Sequence, residues 1–204
     1  MEIALVVFDG LTFLDFVGFY DVVTRLKEVE YLKDFTWDIC GTTEEINDGQ
    51  GLTVKADQIK PNLSKYDMIF IPGGLGTREL KENQEFIDWI KQAKDVKYKI
   101  SVCTGALILG AAGFLKDKKA TTHPLAYDLL EPYCEEVVKT RIVRDGNIIT
   151  CGGVSTSIDL GLYVAEQLIG REEVEKIKEK MDYPYTNSEI VEMINFPFKD
   201  CEFK

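Results

Sequence analysis

Cys103 sits in Ser101-Val102-Cys103-Thr104-Gly105-Ala106, between two apolar stretches. Residues 99–102 read as a strand and 104–115 as a helix that is apolar nearly all round, hence deeply buried. A nucleophile at such a strand-to-helix turn is presented at the top of the sheet, as in the G-x-S-x-G elbow of hydrolases. The start of a helix offers free backbone N–H groups and a partial positive charge. Both favour thiolate, so the Cys103 pKa is expected below the free value of ~8.5. The same N–H groups suit a developing oxyanion. The competing reading is a buried structural cysteine, and it is kept for Cys40, Cys134, Cys151 and Cys201. Of these only Cys151, before Gly152-Gly153, is placed near the pocket.

The rest of the chain must position that cysteine. Residues 3–8 (IALVVF) form a continuous apolar run closed by Asp9-Gly10, the pattern of a strand buried on both faces. Small or apolar residues at helical spacing follow over 14–27. Further strands are expected at 35–40, 67–71, 120–122, 137–143 and 147–151, with a short hairpin arm at 52–56. Helices are expected at 84–94, 125–131, 157–169 and 172–182, with Ser155 or Thr156 as N-cap of the third of these. Strands alternating with helices argue an α/β fold with a mostly parallel sheet covered on both faces and an antiparallel hairpin late in the chain. In such a sheet ligands bind beyond the carboxyl ends of the strands. The segments there are 9–15, 72–77, 103–105 and 152–156, each with at least one glycine. Residues 1–183 read as one domain, and 184–204, with Pro184 and Pro197, as a C-terminal tail.

Composition narrows the function. A 204-residue chain with 45% hydrophobic residues suits one globular domain. A net charge of −11 repels phosphate backbones and anionic lipid surfaces, so neither nucleic acid nor membrane is expected as a partner. The five cysteines lack C-x-x-C spacing and only one histidine, His123, is present, so no metal site is expected. Met1-Glu2 leads directly into the first strand without the basic start of a signal peptide, and no apolar stretch reaches membrane-spanning length; a cytoplasmic location with reduced thiols is expected.

Three segments together, Ile71-Pro72-Gly73-Gly74, Ser101-Val102-Cys103-Thr104-Gly105 and Ala120-Thr121-Thr122-His123-Pro124, resemble the ThiJ/PfpI superfamily. The resemblance runs from residue 3 to about 182. It implies a flavodoxin-like three-layer sandwich and an elbow cysteine shared with class I glutamine amidotransferases. The isonitrile hydratase branch is the most similar: SVCTGALILGAAGFL from Ser101 to Leu115 follows its pattern, as does Leu14-Asp15-Phe16-Val17-Gly18. That resemblance implies that Asp15, which the residues alone leave open as a helix N-cap or an acid–base group, works beside Cys103. It implies a contribution from Thr104 as well. Thr104 stands where the protease-like branch has histidine, which argues against a peptidase, and the H-x-E pair of the amidotransferases is absent. Gly73, Gly74 and Gly153 are expected around the substrate, with backbone N–H groups of Gly74 and Thr104 facing the developing charge. His123 is either near Cys103 or structural.

The expected reaction is hydration of an isonitrile to an N-substituted formamide through a Cys103 adduct, needing no cofactor, in a small apolar pocket lined by Phe16, Phe19 and Leu75. Tyr20, Asp21 and Asp159 are assigned to helix surfaces or packing. The alternatives are a glyoxalase- or deglycase-like enzyme on reactive aldehydes, and a non-enzymatic redox-responsive protein whose Cys103 oxidises. A homodimer follows from the resemblance.

Overall fold

The computed structural model describes residues 1–29, 32 and 34–184. Strands occupy β1 (Glu2–Val7), β2 (Thr36–Gly41), β3 (Glu45–Asn47), β4 (Thr53–Lys55), β5 (Gln58–Ile59), β6 (Met68–Ile71), β7 (Tyr98–Val102), β8 (Lys119–Ala120), β9 (Glu136–Val137), β10 (Ile142–Asp145) and β11 (Ile148–Cys151). Helices occupy α1 (Phe13–Thr24), α2 (Thr77–Leu80), α3 (Gln84–Lys91), α4 (Gly105–Ala111), α5 (Tyr127–Leu130), α6 (Thr156–Ile169) and α7 (Arg171–Lys180).

Seven strands form one sheet in the order β10-β11-β7-β6-β1-β2-β5. Every pairing is parallel except that of β10 with β11. Leaving out the edge strands β5 and β10, the order is the flavodoxin-like 2-1-3-4-5, with its switch point between β1 and β6. Helices cover both faces: α6 packs on α1, α7, β7 and β11, while α4 packs on α2, α3, α5, β6 and β7. The sequence expectation of a mostly parallel, flavodoxin-like α/β sandwich therefore holds.

Buried runs explain the central strands. Ile3 through Val7 are fully buried, as are Ile69, Phe70 and Ile71. Phe19 of α1 lies flat on Phe70 of β6, with ring centroids 4.0 Å apart. Phe16 stacks on Tyr20 within the same helix. Phe16 and Phe19 thus belong to the core and do not line a pocket, because the inward face of α1 must cover β6. Leu75, the third residue expected there, is 76% exposed.

Several boundaries differ from the sequence reading. The α4 helix ends at Ala111, short of the expected 115; Gly113 adopts φ +83°, and the chain turns there. The strand expected over 137–143 is split into β9 and β10. The short pieces β3, β5 and α2 were not anticipated, since two to four residues are too few to show a period. The expected tail from 184 lies, beyond Pro184, outside the described residues. No helix among the described residues is long and apolar enough to cross a membrane.

Close backbone approach fixes α4 against the sheet. A methyl on Gly105 would meet the Ile71 carbonyl oxygen at 2.3 Å and that of Pro72 at 2.7 Å. Backbone cannot step aside as a side chain can, so Gly105→Ala is expected to lower stability by about 1–3 kcal/mol, read as a fall in the urea midpoint with an unchanged slope.

Candidate active site

The site lies at the carboxyl edge of β1, β6, β7 and β11. Cys103 leaves β7 with φ +54°, a left-handed conformation that an L-residue holds at a cost of about 1–3 kcal/mol. Its backbone is held from both directions. The N–H donates to the carbonyls of Cys151 (3.0 Å) and Gly152 (2.9 Å), and the carbonyl accepts from Thr122 Oγ1 at 2.7 Å.

Asp15 arrives from the first turn of α1. The N-cap is Thr12, so Asp15 is not the cap. Its side chain turns inward, and the residue is 0% exposed. Two contacts strap this turn to the glycine loop after β6: Thr12 N–H donates to the Gly73 carbonyl at 2.8 Å, and Leu11 forms a bridge with Gly74. Gly73 N–H then donates to Asp15 Oδ2 at 3.1 Å. The other oxygen, Oδ1, is buried and has no hydrogen-bond partner. The carboxyl lies beside the Cys103 thiol, close enough for each to shift the other's protonation.

Gly73 sits inside this arrangement. A methyl there would stand 2.6 Å from Cys103 Cβ, 2.7 Å from Thr104 N and 2.8 Å from Asp15 Oδ2. Gly153 closes the opposite side: a methyl on it would be 2.8 Å from both Cβ and Sγ of Cys103 and 3.1 Å from the His123 ring. The structure therefore brings Cys103, Asp15, Thr104, Gly73, Gly153 and His123 together. His123 Nδ1 accepts the Leu125 N–H at 3.2 Å, capping the turn that follows, and the ring is half-buried.

Gly74 is placed differently from expectation. Its N–H donates to Thr104 Oγ1 (3.0 Å), and the same hydroxyl donates to the Gly74 carbonyl (3.1 Å). The Gly74 N–H is thus engaged by Thr104 instead of facing the thiol. The Thr104 backbone N–H points at Cys103, where it favours thiolate.

Electrostatics correct the sequence reading of the thiol. Burial, followed by the negative charge of Asp15, pushes the Cys103 pKa up to about 12, against the opposing pull of Thr104. A residue 6% exposed loses more by desolvation than the start of a short helix returns. Asp15 is itself raised to about 7, mainly by burial, with the Gly73 N–H and Cys103 pulling the other way. Around neutral pH the two groups therefore hold either one or two protons between them.

Three further residues contribute in ways the sequence reading did not assign. Thr122 holds the Cys103 carbonyl. Ser157 Oγ donates to the Leu14 carbonyl at 2.9 Å, tying α6 to the turn that carries Asp15. Asp159, assigned to a helix surface or packing, is 1% exposed and bonded to Arg141 (Nε–Oδ2 2.7 Å). Thr122 lies in a segment the sequence singled out, whereas nothing in the spacing of Ser157 or Asp159 distinguishes them from ordinary polar positions. Among the described residues no cluster could hold a metal ion, and Cys40, Cys103, Cys134 and Cys151 are free thiols.

Residues 1–167 match the model of the DJ-1/PfpI family. An isonitrile hydratase of Pseudomonas putida is 36% identical over 185 residues, covering 90% of this chain and 78% of that protein. Protein DJ-1 homolog A of Arabidopsis thaliana is 33% identical over 132 residues, covering 62% of this chain but only 34% of that longer protein. The crystal structure of a ThiJ/PfpI family protein from Pseudomonas syringae superposes with a TM-score of 0.81 at 30% identity, covering 91% of this chain and 76% of that one.

The raised carboxyl has a thermodynamic signature. Asp15 binds its proton more tightly folded than unfolded, so its contribution is fully present below the unfolded pKa of about 3.8 and is lost as pH rises through about 7. Asp15→Asn is expected to raise stability at pH 8 by roughly 2–4 kcal/mol. The gain should vanish below about pH 4, and chemical denaturation of both proteins across that range checks it.

Proposed function

The chain belongs to the DJ-1/PfpI family, and we propose that it is a cysteine-dependent hydro-lyase that adds water to an isonitrile to give an N-substituted formamide. The observation that carries this reading is the buried Asp15–Cys103 pair with carboxyl oxygen Oδ1 left unbonded. The similarity to the Pseudomonas putida isonitrile hydratase supports it.

Isonitrile hydration requires a nucleophile on carbon and a proton delivered to that same carbon. A thiol and a carboxyl in contact supply both. As the Cys103 sulfur bonds to the terminal isonitrile carbon, its proton passes to the Asp15 carboxylate and from there to the carbon. The product is a thioimidate, Cys103–S–CH=N–R. Water then adds across the C=N bond, oxygen to carbon and hydrogen to nitrogen, with Asp15 as general base. The C–S bond breaks, the hydroxyl proton returns to sulfur and R–NH–CHO leaves. The steps sum to isonitrile plus water, with no net oxidation or reduction, so the proposal calls for no cofactor. Thr104, clasped to Gly74, and the glycines Gly73 and Gly153 shape the space above the sulfur. His123, beside Gly153, is a candidate wall of that space.

A redox-responsive role asks for an exposed thiol of low pKa, and Cys103 is neither exposed nor low. An aldehyde-directed enzyme would reuse the same pair and differs only in what it accepts. The proposal includes a cytoplasmic homodimer, in keeping with the family resemblance.

The test is formamide production from a simple alkyl isonitrile. Cys103→Ala should abolish it, and Asp15→Asn should lower kcat by about 10²–10⁴-fold. Because the carboxylate form accepts the thiol proton, kcat/KM should fall as pH drops below about 7. A folded wild-type protein without turnover sinks the isonitrile assignment.

A further inference from the structure

The loop of residues 152–155, between β11 and α6, lies against the Cys103 sulfur through Gly153. Both its ends meet one residue. At the start, Gly152 N–H donates to the Arg141 carbonyl at 2.9 Å, and the Gly152 carbonyl in turn accepts the Cys103 N–H at 2.9 Å. Beyond the end, the Arg141 guanidinium grips Asp159 in the first turn of α6, with Nε at 2.7 Å from Oδ2 and Nη2 on the same oxygen. Asp159 is 1% exposed, and its second oxygen accepts the Tyr183 hydroxyl. A buried carboxylate with two-pronged guanidinium bonding holds its partner in one geometry.

We propose that Arg141, clasped to Asp159, is a positioning residue for Cys103, keeping the Gly152–Gly153 backbone closed over the sulfur. This rests on the reading above only in taking Cys103 as the reacting atom. The clasp acts through backbone: it fixes the carbonyl that fixes Gly152, which fixes the Cys103 N–H and seats Gly153 on the thiol. With the clasp released, the loop lifts, water reaches the sulfur and part of the desolvation that suppresses its ionisation is lost. The other titratable groups facing the thiol are Asp15 from α1, His123 from the loop after β8 and Cys151 from β11. The change substitutes none of these, and on Cys151 it removes two opposing charge effects together, those of Asp159 and Arg141.

Removing Arg141 alone would leave Asp159 buried without its cation, which unfolds many proteins. The test variant is therefore the double substitution Arg141→Met with Asp159→Leu, which deletes the clasp and leaves no buried charge. Arg141→Lys serves as the conservative companion, keeping the charge without the fork. Alkylation of Cys103 by iodoacetamide is followed against pH in the full chain, with the modified peptide identified by mass. The double variant should unfold cooperatively, show an apparent Cys103 pKa lowered by a unit or more, and alkylate about tenfold faster near pH 7.5. Arg141→Lys should lie between it and wild type. A folded double variant with the wild-type profile overturns the proposal, as does a shift in Arg141→Lys equal to that of the double variant. Alkylation does not depend on substrate. If wild type hydrates no isonitrile while the profile shifts as stated, the clasp stands and the hydratase reading falls.

Discussion

Everything at the carboxyl edge of the sheet depends on a carboxyl and a thiol enclosed together out of water. Either group alone would be inert in such a place: a lone buried carboxyl stays protonated, and a lone buried thiol does not ionise. Together they divide the work: the thiol eases the ionisation of Asp15, and although the Asp15 charge opposes a thiolate, a proton leaving sulfur has an acceptor beside it. Asp15, raised to about 7, can both accept and return that proton at neutral pH. The helix end at Cys103, which would by itself have predicted a free thiolate, is a smaller influence than burial. In the proposed hydration the reactive state is thus generated in step with the reaction instead of being stored beforehand.

Holding two such groups in contact requires that little else occupy the space. Gly73 and Gly153 sit where any side chain would collide with Cys103, and Gly105 lets α4 begin directly on β6. Cys103 carries the backbone strain of φ +54°, and two carbonyls and a threonine hydroxyl hold it there. Local strain of this kind persists only where surrounding bonds over-determine the conformation. The Cys103 N–H bond to the Cys151 carbonyl ties the cysteine to β11, so its placement is shared between two neighbouring strands.

Much of this was readable from residue order. The apolar runs of β1 and β6 gave two of the buried parallel strands, and the segment before Cys103 gave β7 and the strand-to-helix turn on which the cysteine sits. The glycines at 73, 74 and 153 were legible as loops beyond strand ends. The ionisation state of the thiol was not, because desolvation is a property of the packed shell and has no local signature. Phe16 and Phe19 were misplaced for a related reason: periodicity names a buried face but not whether that face meets a pocket or a sheet. The Arg141–Asp159 pair was hidden because it joins a strand edge to a distant helix, and charged residues at such spacing are ordinary in sequence.

The strand order carries one more consequence, which concerns synthesis. Asp15 emerges with the first strand and helix, the cysteine only after four further strands of the main sheet's neighbourhood and the intervening hairpin, and the loop bearing Gly153 later still. On a growing chain the carboxyl has no thiol to bury against, and the thiol, once made, has no β11 to cover it. Long-range parallel pairing of this sort closes late in folding. A partly made or truncated chain would therefore carry an open, unpaired Cys103 with ordinary solvent-exposed thiol chemistry. Completion of the last sheet strand and α6 is what converts a common cysteine into an enclosed one, so the chemistry of the site reports that the whole domain has been assembled.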